Sequence, residues 1–80
     1  MWVVVHFLKD NTIESVPNIW FNKKDQKCAW PLSKNSVKRM IEKRIYPYKF
    51  EFQWFSARIL GHPYGSLVEA RLKAKKAQFL

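Results

Sequence analysis

The chain has 80 residues, with 15 Lys or Arg against 6 Asp or Glu and a formal net charge of +9. That length sets one small domain, 1–80, and the charge points to nucleic acid or another polyanion as partner. The lone cysteine, Cys28, excludes an internal disulfide and leads to the expectation of a reducing, intracellular setting, while no apolar run approaches the roughly 20 residues of a membrane span.

Trp2 to Leu8 is β-branched and aromatic, interrupted by His6, and reads as a strand covered on both faces. Lys9-Asp10-Asn11-Thr12 is a turn cluster. Ile13 to Val16 alternates and should pair back as a hairpin. Pro17 cannot donate to a ladder, so the strand ends, bulges or lies on an edge there. Ile19-Trp20-Phe21 is a short apolar continuation, Asn22 to Gln26 a polar turn, and Lys27 to Trp30 a third strand stopped by Pro31. The period then changes. Val37, Met40, Ile41 and Ile45 mark one face of a helix over Val37–Ile45, with Ser33 or Asn35 as N-cap and Pro47 forbidding continuation. Phe50 to Leu60 is strand-like, with a parity flip between Trp54 and Phe55 that suggests a β-bulge or a bend. Gly61-His62-Pro63 reads as a break. Ser66 and Glu69 form a capping box, and Leu67, Ala70, Ala74 and Ala77 form a small-residue stripe on a last helix. The order β-β-β-α-β-α is that of an α+β domain, an antiparallel sheet packed by two helices. The expected core is Val3, Val5, Phe7, Val16, Trp30, Ile41, Phe55, Ile59, Leu67 and Ala70.

Several elements together carry a resemblance: Val4-Val5-His6-Phe7, Glu14-Ser15-Val16-Pro17 with Trp20, Cys28-Ala29-Trp30-Pro31, Ser56 to Gly61, and Glu69-Ala70-Arg71. The set resembles a small N-terminal module of uncharacterised insect proteins, many nuclear and some transposon-derived. The resemblance implies a binding or adaptor module of a longer nuclear protein, and no reaction. The first hairpin also resembles the opening of SH3-like and Tudor-like barrels, from which the helix before the last strand departs.

Catalysis finds little support. Cys28, His6 and His62 are too few and scattered for a zinc site, and no glycine-rich phosphate loop exists. The default for Cys28 is a small core residue. No enzyme, metal or other cofactor is expected. The basic helix is the leading candidate: Lys34, Lys38, Arg39, Lys43, Arg44 and Lys49 would contact phosphates of DNA in chromatin, against the alternative of a solvated face. Arg71, Lys75 and Lys76 form a secondary patch that the helix dipole also explains. Trp20, Phe21 and Trp54 are the aromatics offered for stacking or for a protein partner, including a second copy, with the edge near Val16-Pro17 as another docking place. A cage for a methylated lysine ranks lower, because a +9 domain repels basic tails.

Overall fold

The computed structural model describes residues 1–78. Four strands precede the first helix instead of the three expected: β1 (Trp2–Phe7), β2 (Thr12–Pro17), β3 (Phe21–Asn22) and β4 (Lys27–Pro31). Then come α1 (Val37–Glu42), β5 (Phe52–Tyr64) and α2 (Leu67–Gln78). The sheet is antiparallel, in the order β2-β1-β5-β4-β3. The added strand arises because a single 3-10 turn, Asn18–Trp20, separates Phe21 from Pro17. The hairpin turns fall where polar clusters stand, with Asn11 and Gln26 at positive φ.

β5 joins two hairpins. Its first half, Phe52 to Ser56, pairs with β4, and its second half, from Ala57, pairs with β1. The β4 register runs straight through Trp54 and Phe55, so the expected bulge is not there. The irregularity lies further on, where Val4 faces Leu60 but Trp2 faces Tyr64. Gly61, His62 and Pro63 are thus a bulge inside the strand, not a break after it. Pro63 needs no ladder partner there, and Gly61 supplies a φ of 76. A side chain at Gly61 would also crowd the Tyr64 hydroxyl at 3.1 Å.

β1 is covered on both faces, as its sequence predicts. Val3, Val5 and Phe7 join Val16 and Ile41 on the α1 side, and Val4 joins Ala70, Ala74 and Tyr64 on the α2 side. The small-residue stripe therefore lets α2 approach closely. Ser66 Oγ accepts from the Glu69 amide at 3.5 Å, the forward half of the capping box.

Four positions of the expected core, Trp30, Phe55, Ile59 and Leu67, are only half-buried. Trp20 takes a central place instead. It is 0% exposed, sits edge-on to Trp30 and Phe52, and donates its indole N–H to the Ile45 carbonyl at 2.6 Å. The N-cap of α1 is Ser36, not Ser33 or Asn35, and it makes no side-chain cap bond. α1 stops at Glu42, three residues before Ile45. The amides of Arg44 and Ile45 bond back to the carbonyls of Ile41 and Met40 at 3.1 Å each. That is a Schellman ending, closed before Pro47 has any effect.

Candidate nucleic-acid interface

The predicted cations do not form one surface. Lys38 faces α2, where it lines a groove of about 360 Å³ together with Arg71 and Lys75. The groove floor includes Ile13, Trp30, Val37, Ile41 and Ala74. Two basic segments far apart in sequence thus meet. Arg71 also bonds Glu42 at 3.5 Å, the one ion pair among the described residues, and ties α2 to α1. Lys76 lies on the outer side of α2, in a shallow recess with Leu72 and Lys73.

Arg39 and Lys43 occupy the opposite flank of α1. They share a recess of about 240 Å³ with Met40, Ile45 and Glu51. Lys34 stands exposed in the approach to α1, and Lys49 in the loop after it.

Arg44 departs from the expectation. It is not helical, having φ 53, and its guanidinium turns toward the N-terminus. There it donates to the Met1 carbonyl and, at 2.7 Å, to Asn18 Oδ1. It also lies 5.0 Å from the Trp2 ring centre. These contacts engage Arg44 in holding the fold together.

The aromatic expectation needs a larger correction. Trp20 is core, and Phe21 is half-buried against that core. Of the named three, only Trp54 is open, at 38%. The most exposed rings stand in the loop between α1 and β5: Tyr46 at 61%, Tyr48 at 58% and Phe50 at 86%. Tyr46 and Tyr48 lie 5.1 Å apart, and Lys49 Nζ sits 5.6 Å from the Phe50 ring centre. The signal for this loop was Pro47 between two tyrosines, which removes the segment from helix and sheet. Pro47 itself is buried, so it anchors the loop while its neighbours point outward. Near Val16-Pro17 both residues are buried, and the Asn18 amide bonds the Met1 carbonyl on the β1 side, while β2 remains an edge strand of the sheet.

Cys28 is fully buried, and that burial pushes its thiol up to about 12. At neutral pH it is protonated and a poor nucleophile. His6 is held between two partners. Arg58 Nε donates to its Nδ1 at 3.1 Å, and its Nε2 pairs with Asn11 Oδ1 at 2.7 Å. Among the described residues no cluster of His, Cys, Asp and Glu could hold a metal ion. No helix there is long and apolar enough to cross a membrane. Comparison with protein-family models, curated proteins and solved structures finds no match to this chain.

Proposed function

We propose that the chain is a non-enzymatic nucleic-acid-binding module of a nuclear, chromatin-associated protein. Its contact surface is α1 with the loop that follows. The observation that carries this reading is the exposure of Tyr46, Tyr48 and Phe50 in the loop of Lys49, whose flanking residues Ile45 and Glu51 line the recess of Arg39 and Lys43. Cations next to a phosphate backbone supply affinity. Open rings beside them stack on bases, at about 1–3 kcal/mol per base. The groove of Lys38, Arg71 and Lys75 extends the positive surface around the other side of α1.

The test is fluorescence anisotropy with a labelled random duplex and a labelled single strand over a sodium chloride series. Both should bind at low salt and weaken steeply as salt rises. Phe50→Ala with Tyr48→Ala should weaken the single strand more than the duplex. No binding of either at low salt would overturn the reading.

A second reading rests on α2. Val68 and Leu72 are exposed four residues apart, on one face of the helix, which suits a protein partner or a second copy of the chain. Sedimentation of the free protein checks it: a dimer that Leu72→Glu dissociates supports self-association.

A further inference from the structure

On the α1 side of the sheet a recess of about 240 Å³ opens between the β1–β2 hairpin and β4. Phe7, Asp10, Thr12, Glu14, Trp30 and Phe55 line it. The registers explain the convergence. Phe7 faces both Thr12 and Ala57, Val5 faces Glu14, and Cys28 faces Phe55. Residues directly opposite share a face, as do residues two apart. Phe7, Thr12, Glu14, Phe55 and Trp30 therefore all point to one side.

The rings form a box. Trp30 stands 5.5 Å from Phe7 at 77°, and Phe55 stands 6.3 Å from it at 84°. Phe7 is buried and makes the floor, while Trp30 and Phe55 are half-buried walls. Asp10 and Glu14 add two carboxylates, and neither is in an ion pair among the described residues. Burial pushes the Glu14 carboxyl above its ordinary range by desolvation, a cost that a bound cation would offset.

Ring faces carry negative potential and attract cations, most effectively when the cation sheds water easily. A bare lysine ammonium holds its water strongly; a methylated one does not. We propose that this recess binds a methylated ammonium group, with Phe7 as floor, Trp30 and Phe55 as walls, and Asp10 and Glu14 as counter-charges. The global charge of +9 does not forbid it. Fields are screened over about 8 Å at physiological ionic strength, and the charged residues that line the recess itself are Asp10 and Glu14. Trp30 and Glu14 also line the basic groove of Lys38, Arg71 and Lys75. The cation site and the anion-attracting groove therefore adjoin, which suits a ligand that presents a methylated ammonium next to negative charge.

The trimethylammonium group of a modified lysine and that of choline share this chemistry, and the experiment separates them. The 80-residue chain is titrated by NMR, without nucleic acid, with four probes. These are a short trimethyllysine peptide, the same peptide unmodified, the same peptide with a neutral tert-butyl isostere, and choline chloride. A trimethylated probe should bind at least tenfold more tightly than the unmodified peptide and the isostere, and should move the Trp30 indole resonance. Full affinity from choline alone identifies a small quaternary amine; affinity only from the peptide identifies a modified protein tail. D10N with E14Q should weaken binding at least fivefold while the melting temperature holds. Phe55→Leu, which keeps bulk and removes a ring face, should abolish the preference for the charged probe over its isostere. Equal binding of charged probe and isostere, of methylated and unmodified peptide, or of parent and D10N/E14Q would overturn the proposal, as would no binding at all. None of these results bears on nucleic-acid affinity, so the two readings fail separately.

Discussion

Arg44 follows the C-cap of α1 with φ 53, a position where glycine is the usual residue. An L-residue in that conformation costs roughly 1–2 kcal/mol. The side chain offsets the cost through Met1, Asn18 and Trp2. Arg44→Ala should remove the bonds and keep the strain, destabilising by about 1–3 kcal/mol. Arg44→Gly should lose the same bonds but relieve the backbone, and so be about 1 kcal/mol more stable than the alanine variant. Urea unfolding of the pair checks this. In the helix interior that periodicity predicts, the order would reverse, because glycine is worse than alanine there. Cys28 gives a second prediction. Burial pushes its thiol from the ordinary 9.0 up to about 12 in the folded chain. The native state therefore holds the thiol proton more tightly, so its stabilising contribution is complete below pH 9 and declines as pH climbs toward 12. Alkylation at neutral pH should be slow in the native state and fast in urea; rapid native labelling would contradict the burial. The core role of Cys28 was legible because a small apolar residue in a short strand has few other places to go. The fate of the rings was not legible. Trp20 and Phe50 are both aromatic and lie near strands, yet one is enclosed and the other is almost fully open. Only the 3-10 turn at Asn18–Trp20 and the buried Pro47 separate them, and neither is a periodic signal.

α1 has cations on two flanks, and the flanks have different neighbours. Arg39 and Lys43 adjoin the loop of exposed rings, whereas Lys38 turns to Arg71 and Lys75 on α2. If the loop flank is the contact surface, reversing both of its cations removes two phosphate contacts and adds two repulsions. Arg39→Glu with Lys43→Glu should weaken duplex binding at least tenfold, about 1.4 kcal/mol, and reduce the salt slope by about two units. The fold should survive, since both side chains are exposed. Lys75→Glu with Lys76→Glu should matter less, because these lysines lie in the last turn of α2, where the dipole already favours them. Anisotropy titrations of the two double variants decide between the flanks; greater sensitivity at the α2 pair would move the interface into the groove. At this scale the sequence was a good guide to element type. The burial of β1 on both faces and the small-residue stripe of α2 both persist, whereas the alternation read in Ile13 to Val16 does not appear as alternating burial in β2. The ends were harder. Gly61-His62-Pro63 has the composition of a break, but β1 continues past it, so the strand resumes at Tyr64. Local chemistry could not show that, because the continuing partner lies some 60 residues away in sequence.

The whole molecule carries +9 with one ion pair among its described residues. Excess charge of one sign keeps a chain soluble and strains its compact state. Added sodium chloride screens that repulsion: the Debye length shrinks from about 30 Å at 0.01 M to about 8 Å at 0.15 M. Over this range the free protein should therefore become more stable. A gain of roughly 1 kcal/mol would raise Tm by about 4–8 °C for a domain of this size. Nucleic-acid binding should respond with the opposite sign, because each phosphate contact releases counterions. With Lys34, Lys38, Arg39, Lys43 and Lys49 as the contacts, the slope of log K against log salt for duplex DNA should be about −4 to −5, at about −0.9 per contact. The opposed signs are the useful feature. A loss of binding at high salt cannot then be blamed on unfolding, since the fold gains stability over the same range. Melting curves and titrations on the same salt series measure both. If Tm falls as salt rises, the surface charges are arranged favourably rather than repelling. The positive clusters would then be stabilising one another's surroundings instead of awaiting a polyanion. If Tm rises and binding stays flat, the affinity belongs to the rings of the Tyr46–Phe50 loop and not to the cations beside them.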